Sequence, residues 1–185
     1  MANILVPLAQ GCEELEAVSI TDLLTRAGFN VVTAGLDDQV VTASRGMMLV
    51  PKLTLDQALQ QDYDMLVLPG GLPGADHLNA DQRLHDLIHK MNTAGKYVCA
   101  ICAAPKVLAR AGILKNKQAT SFPGSIPAED MAGIEYQEQA VVIDGNIVTS
   151  RGPGTAMDFA LCLIELLAGK DKRNEVEAPL QRPAA

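Results

Sequence analysis

The sequence contains no tryptophan and has few other aromatic residues, three Tyr and three Phe among 185 residues. Its core must therefore be built from aliphatic side chains, and it lacks the stacking platforms that bind nucleic-acid bases. Long hydrophobic runs are also missing, since the longest, Tyr97 to Ala104, has 8 residues. A membrane helix needs roughly 20. The sequence therefore predicts no transmembrane segment.

Positive charge is scarce, with 15 Lys and Arg against 22 Asp and Glu and a net charge of −7. Such a surface repels nucleic-acid backbones and anionic lipid, so we expect neither as a partner. The first residues lack the positive charge that precedes the apolar segment of a secretory signal peptide. We therefore expect a cytoplasmic location, where cysteines remain thiols. The four cysteines are Cys12, Cys99, Cys102 and Cys162.

Strand-like and helix-like segments alternate along the chain. Apolar runs at Met65–Leu68 and Lys96–Ile101 are typical of buried parallel strands. Asn3–Leu8 predicts a first strand, in which Pro7 favours an edge position or a bulge at the end of the strand. The alternation predicts one doubly wound α/β domain over residues 1–185, with a mainly parallel sheet and helices on both faces. Ligands of such folds bind beyond the carboxyl ends of the strands.

Helices are predicted where apolar residues recur at helical spacing. The predicted helices span residues 13–27, 55–61, 81–93 and 155–167. The last of them opens with Thr155 and Asp158, which match a capping box. The pair Asp144-Gly145 predicts a hairpin, residues 39–53 an excursion with short strands, and residues 170–185 a C-terminal helix or tail.

Cys102 is the first candidate for chemistry, because it stands between a predicted buried strand and the helix start at Pro105. Its small neighbours, Ala100, Ala103 and Ala104, permit the sharp turn of a nucleophile elbow. A helix start lowers the pKa of a thiol, so we expect a reactive thiolate. The alternative is a buried cysteine acting as a small hydrophobic residue.

Cys99 and Cys102 also form a CxxC pattern, typical of thioredoxin-like and zinc sites. Cys99 lies inside the predicted strand, and it would face away from Cys102 if the strand continued. One such pair without a second makes a poor zinc site. We therefore expect Cys99 to belong to the core and predict no metal site.

Three carboxylates open the first helix, where they complement the helix dipole. That explanation suffices for Glu13 and Glu14. Glu16 precedes an apolar stripe, so it could turn inward toward Cys102. A buried carboxyl has a raised pKa, and when protonated it can donate a hydrogen bond to a thiolate or act as general acid and base.

Two glycines and a histidine pair carry weaker signals. Gly70 and Gly71 follow a buried strand, where their N–H groups could stabilise an oxyanion or simply form a tight turn. His85 and His89 have the i, i+4 spacing of a zincin helix. They lie off the apolar stripe of their helix, which favours a solvated face.

Five motifs together resemble the ThiJ/PfpI superfamily, in the branch of the Parkinson-disease protein deglycase and bacterial YajL. The motifs lie at residues 11–16, 44–46, 68–71, 100–105 and 149–155. The resemblance covers residues 2–180 in unbroken order. It implies a glutamine amidotransferase-like domain with a flavodoxin-like sandwich, and a homodimer.

The resemblance also implies roles for individual residues. Cys102 would be the oxidation-prone nucleophile and Glu16 the protonated partner of its thiolate. Gly70, Gly71 and Ala103 would contribute backbone donors at the oxyanion or substrate site. Arg26 and Arg45 match arginines near the dimer contact and the site.

Two functions follow from the resemblance. The first is cysteine-dependent detoxification of reactive carbonyls without a cofactor or metal, as a glyoxalase acting on methylglyoxal and glyoxal, with deglycation of early glycated adducts as a further activity. The second is a redox-sensing chaperone for unfolded proteins, in which oxidation of Cys102 is the signal. Both functions require the same cysteine beside a carboxyl, so the sequence leaves the choice open.

The sequence departs from the superfamily pattern at two positions. Phe122 stands where many relatives carry a histidine, which removes the base that a Cys-His protease needs. Cys12 replaces a small residue in the loop before Glu14. It is interpreted as a tolerated substitution, with a resolving thiol for Cys102 as the alternative.

Overall fold

The structure, a computed structural model, describes residues 1–182 of the chain. Its strands are β1 (Asn3–Leu8), β2 (Asn30–Gly35), β3 (Val41–Thr42), β4 (Met48–Leu49), β5 (Leu53–Thr54), β6 (Met65–Leu68), β7 (Tyr97–Ile101), β8 (Lys117–Ala119), β9 (Ile134–Tyr136), β10 (Val141–Asp144) and β11 (Ile147–Ser150). Its α-helices are α1 (Glu14–Arg26), α2 (Leu55–Ala58), α3 (Gly74–Ala80), α4 (Gln82–Thr93), α5 (Pro105–Arg110) and α6 (Ala156–Glu177). Single 3₁₀ turns lie at Ala128–Asp130, Pro153–Thr155 and Ala178–Leu180.

Seven strands form the central sheet, in the order β10-β11-β7-β6-β1-β2-β5. The five main strands β1, β2, β6, β7 and β11 are parallel and follow the flavodoxin-like order 2-1-3-4-5. Strand β5 extends the sheet in parallel beside β2, and β10 closes the other edge antiparallel to β11. The expected fold class, a mainly parallel doubly wound sheet, is confirmed.

Helices cover both faces of the sheet, because successive residues of a strand point to opposite sides. On β1, the side chains of Ile4 and Val6 pack with α1 and α6 on one face. Leu5 packs with α2 to α5 on the other face. The buried strands β6 and β7 are apolar on both sides for the same reason.

Strand β1 corrects the expectation that Pro7 marks an edge. β1 is an interior strand that pairs with β2 along its whole length, with Pro7 opposite Ala34. Its pairing with β6 is limited to Ile4 and Leu5. Pro7 is therefore paired on one side only. A proline can occupy this position because it has no N–H that would need a partner on the other side.

The last helix also differs from its prediction. The Thr155 side chain makes no capping bond to the helix, because its hydroxyl bonds to Ser150 and Gly152 instead. Asp158 pairs with Arg182. Helix α6 breaks at Gly169, whose φ is 82°, and continues to Glu177. The expected tail is thus helical through Leu180, and residues 183–185 lie outside the described part.

The strand order fixes where a ligand can bind. The order reverses between β1 and β6, and crevices in such sheets open at this switch point beyond the carboxyl ends. The loops after β1, β6 and β7 meet there. Within residues 1–182, none of the helices has the length and apolar character that crossing a membrane requires.

Candidate active site

Cys102 occupies a sharp turn between β7 and α5. Its φ of 63° lies in the left-handed region, which costs a non-glycine residue about 1–2 kcal/mol. Three hydrogen bonds hold this conformation: the Cys102 N–H donates to the Ser150 carbonyl (2.9 Å), and the Cys102 carbonyl accepts from the Phe122 N–H (2.8 Å) and the Ser125 hydroxyl (3.3 Å). The sequence gives no signal for these partners, because they are 20 to 48 residues away from Cys102 in the chain.

The turn also alters the relation between the two cysteines of the CxxC pattern. Because β7 ends at Ile101, the alternation of faces does not extend to Cys102. Cys99 and Cys102 therefore belong to the same apolar cluster, contrary to the expectation of opposite faces. Cys99 is completely buried, whereas Cys102 retains 8% exposure.

Glu16 points inward from the first turn of α1 and is completely buried. Its Oε2 accepts a hydrogen bond of 2.8 Å from the Gly70 N–H. Its Oε1 is also buried and has no well-aligned hydrogen-bond partner within residues 1–182. Burial raises the pKa of this carboxyl to about 7, against the opposing effects of the Gly70 N–H and the Cys102 thiol.

The Cys102 thiol does not have the lowered pKa expected from a helix start. Burial and then the negative charge of Glu16 raise the pKa of Cys102 to about 12. The Gly71 and Ala103 N–H groups lie near the sulfur and lower the pKa of Cys102, but by less than burial raises it. The six-residue helix α5 begins only at Pro105 and does not offset burial. Protonation of Glu16 would remove its charge and make the thiolate easier to form.

The two glycines after β6 have different roles. The Gly70 N–H is already bonded to Glu16, so it positions that carboxyl and is not free to bind substrate, contrary to the expectation. A Cβ on Gly70 would lie 2.6 Å from the Cys102 Cβ, which no side chain tolerates. Gly71 has a φ of 88°, and its N–H faces the Cys102 sulfur.

A cleft of about 390 Å³ opens over Cys102. Phe122, half exposed, lines one wall at the position of the superfamily histidine. Gly152 lies beside Phe122, since a Cβ built on it would be 3.4 Å from the Phe122 Cδ2 and 4.0 Å from the Cys102 Sγ. The thiol therefore lies at the bottom of an open cleft that a small molecule can enter.

The loop of residues 44–47 forms the rim of this cleft and is attached to α1 by Glu14. The Glu14 carboxylate accepts hydrogen bonds from the Arg45 N–H (2.9 and 3.1 Å), the Ser44 hydroxyl (3.0 Å) and the Met47 N–H (3.4 Å). Arg45 lines the cleft. Arg26 is not brought to the site, because it lies at the far end of α1 and pairs with Asp22.

The remaining candidate residues lie apart from this chemistry. Cys12 is completely buried behind Gly71 and Gly74, and burial followed by the charge of Glu14 raises its pKa to about 11. His85 contacts the Asn79 carbonyl at 2.8 Å on α4. Among the described residues, no cluster of His, Cys, Asp or Glu is arranged to hold a metal ion.

The chain combines a flavodoxin-like sheet with a cysteine at a sharp strand-to-helix turn beside a buried carboxyl. These features define it as an α/β protein whose candidate site is built around a cysteine. The chain belongs to the DJ-1/PfpI family, whose sequence model matches residues 2–166. This confirms the relationship inferred from the motifs.

Three similar proteins illustrate the relationship. Protein DJ-1 homolog B from Arabidopsis thaliana is 44% identical over 173 residues, covering 92% of this chain, which spans only 39% of that longer protein. Glutathione-independent glyoxalase DJR-1.2 from Caenorhabditis elegans is 33% identical over 179 residues, 97% of this chain and 95% of the relative. The crystal structure of DJ-1beta from Drosophila melanogaster superposes with a TM-score of 0.94 at 40% identity, covering 99% of each chain.

Proposed function

We propose that the protein is a glyoxalase that converts small 2-oxoaldehydes such as methylglyoxal and glyoxal to 2-hydroxy acids, with Cys102 as nucleophile and Glu16 as general acid and base. The observation that carries the proposal is the completely buried Glu16 carboxyl, which interacts with a cysteine at the bottom of an open cleft. A carboxyl whose pKa is about 7 exchanges protons readily at neutral pH. The name of the Caenorhabditis elegans relative supports the same reaction.

The first step forms a covalent adduct. The Cys102 sulfur attacks the aldehyde carbon, a carbon–sulfur bond forms, and the carbonyl electron pair moves to oxygen, which takes up the thiol proton to give a hemithioacetal. The Gly71 and Ala103 N–H groups donate toward the sulfur, so the developing oxyanion on the adjacent carbon would lie beside them.

The next steps move a proton between adjacent carbons. Glu16 removes the proton from the carbon bonded to sulfur and returns it to the former ketone carbon. The hydroxyl proton of the first carbon passes to the oxygen of the second, which gives a thioester of the hydroxy acid. Water then attacks the thioester and releases the hydroxy acid and the Cys102 thiol. The sum is one 2-oxoaldehyde and one water to one 2-hydroxy acid, and all proton-moving groups belong to this chain.

The substitution Glu16→Gln tests the assignment of the proton carrier. Gln keeps the size and the acceptor for the Gly70 N–H but carries no proton between carbons, so methylglyoxal turnover should fall by roughly 10²–10⁴-fold. The steady-state rate of hydroxy-acid formation measures this turnover. Glu135→Gln, an exposed change on β9, is the matched control and should leave turnover unchanged. Full activity of Glu16→Gln alongside an inactive Cys102→Ser would assign proton transfer to another group.

A second candidate function is redox sensing, with chaperone activity toward unfolded proteins as its output. The Cys102 sulfur faces an open cleft and lies near the N–H groups of Gly71 and Ala103, which could donate to the oxygens of a sulfinate. Mild peroxide should then oxidise Cys102 before the completely buried Cys99, as peptide mass mapping would show. Very slow methylglyoxal turnover combined with selective oxidation would favour this function. Glycated adducts are possible further substrates of the first function and require a separate assay.

We also propose a homodimer, which the family resemblance and the surface both support. Leu15 and Val18 are exposed on the outer side of α1, and Met48 and Val50 are exposed beside it on the β3–β4 excursion. Such apolar side chains favour burial against a partner. Sedimentation at low micromolar concentration should give a mass near twice 19.6 kDa. A monomer at all accessible concentrations would contradict it.

A further inference from the structure

The rim of the cleft holds an arginine that the proposed chemistry does not use. Arg45 is exposed on the cleft wall, and within residues 1–182 its guanidinium has no carboxylate within 4.0 Å. The guanidinium makes one long hydrogen bond, to the Ser44 carbonyl (3.4 Å). Five of the seven arginines are ion-paired: Arg26, Arg83, Arg110, Arg173 and Arg182.

Within one protomer, the charge of Arg45 remains available because Glu14 bonds to the backbone of the loop and not to the guanidinium. Both Glu14 oxygens accept the Arg45 N–H, and the Ser44 hydroxyl and the Met47 N–H complete the set. Glu14 thus fixes the loop beside the cleft with its own charge satisfied by N–H and O–H donors. The arginine side chain lines the cleft from a backbone that Glu14 holds in place.

The cleft has room for a substrate larger than a three-carbon dicarbonyl. Its volume of about 390 Å³ falls within the range of pockets that hold ligands many times the size of methylglyoxal. An uncharged dicarbonyl also has no group that an arginine recognises. Arginine binds carboxylates in bidentate geometry.

The nearby charges favour a group with a single negative charge. Glu13 lies on the same wall, where its Oε2, 2.9 Å from the Ser44 oxygen, shares that hydroxyl proton with Glu14. The chain carries a net charge of −7. Both disfavour a dianionic phosphate more than a monoanionic carboxylate.

We infer that the cleft takes 2-oxoaldehydes bearing a carboxylate, which Arg45 binds while Cys102 engages the aldehyde. This inference names the substrate class of the proposed glyoxalase and rests on it. For 4,5-dioxopentanoate, addition of one water gives 2-hydroxyglutarate, since the aldehyde carbon becomes the new carboxylate and the ketone carbon becomes the alcohol. No oxidant or reductant is needed, because the oxidation of one carbon balances the reduction of its neighbour.

The first experiment tests anion binding without relying on turnover. Iodoacetate and iodoacetamide alkylate a thiol by the same displacement of iodide and differ in charge. The ratio of their rates at Cys102, measured by peptide mass mapping, should exceed the ratio for glutathione by roughly 5-fold, the size of an exposed charge pair. Arg45→Gln should remove this preference. Arg110→Gln makes the same change of net charge away from the cleft, at a residue paired with Asp130, and should keep the preference.

The second experiment compares 4,5-dioxopentanoate with its methyl ester as substrates. The wild type should turn over the acid with a kcat/KM roughly 5-fold higher, and Arg45→Gln should raise KM for the acid alone. Arg45→Lys should restore part of the difference. Equal rates for acid and ester, or an equal loss of both in Arg45→Gln, would overturn the inference. Turnover of methylglyoxal without a preference for the acid would overturn the inference and leave the proposed function standing. Anion-selective alkylation without any turnover would overturn the glyoxalase and the substrate class together, and would leave only anion binding by Arg45.

Discussion

The inner end of the cleft and its rim are built in different ways. At the inner end, Glu16 is completely buried, Cys102 is nearly so, and main-chain groups from distant strands fix both residues. At the rim, Arg45 and Phe122 are exposed and are held mainly through their own backbone. The comparison separates two tasks: the buried end sets the positions of reacting atoms, and the exposed rim can select among substrates with little consequence for those positions.

The largest effect is expected where backbone elements touch at the inner end. In Gly70→Ala the new Cβ would lie 2.6 Å from the Cys102 Cβ and 2.9 Å from the Ala103 nitrogen. The elbow must shift, so turnover should fall by about 100-fold and the free energy of unfolding by about 1–3 kcal/mol. Methylglyoxal kinetics and urea unfolding measure both quantities.

Gly154→Ala is the control for that substitution, because a Cβ at Gly154 meets no atom within 4 Å. Its turnover and stability should match the wild type. If Gly70→Ala kept normal turnover, the inner end would be as adaptable as the rim and the contrast between them would be lost.

An intermediate effect is expected on stability as pH changes. Burial raises the pKa of Glu16 to about 7, above its unfolded value, so the folded state holds a proton that the unfolded state releases. This stabilisation is complete below the unfolded pKa near 4.3 and is lost as pH rises toward about 7, by roughly 3 kcal/mol in total. Urea unfolding from pH 4.5 to pH 8 measures the loss, and Glu16→Gln should flatten it. If the free energy of unfolding changed with pH in the same way for the wild type and Glu16→Gln, burial would not have raised the pKa of Glu16.

The smallest effect is expected at Cys12, which is as buried as Glu16 yet contributes no group to the cleft. Cys12→Ser should leave methylglyoxal turnover near that of the wild type, while the buried hydroxyl lowers the free energy of unfolding by about 1–3 kcal/mol. A large loss of turnover at unchanged stability would instead make Cys12 a participant, such as a resolving thiol.

Much of the sheet could be predicted from the sequence, because buried parallel strands such as β6 and β7 are continuous apolar runs. Helix α3 was not predicted, since its seven residues contain one large apolar side chain, Leu78, and therefore no helical periodicity. The proline at position 7 favours an edge or a bulge because proline cannot donate a hydrogen bond within a sheet. The sequence does not show that β6 pairs with β1 only at Ile4 and Leu5, which leaves Pro7 without a neighbour on that side.

The site was predictable in its side chains and not in its backbone contacts. Cys102 and Glu16 are visible as a strand end and a helix start, and the resemblance joins them. The Gly70 N–H that Glu16 occupies has no sequence signature, so Gly70 was assigned to substrate binding. The direction of the Cys102 pKa shift also depends on burial and on the nearby Glu16 charge, which follow from the folded structure.

The contacts around Cys102 have a consequence for how this protein can evolve. The N–H groups of Gly71 and Ala103 and the Ser150 carbonyl belong to the main chain, which every amino acid except proline supplies in full. A codon change at Ala103 or Ser150 therefore keeps these groups wherever the buried position accommodates the new side chain. Mutational drift at rim positions such as Arg45 and Phe122 can diversify the substrates of descendant genes while the same inherited thiol chemistry persists.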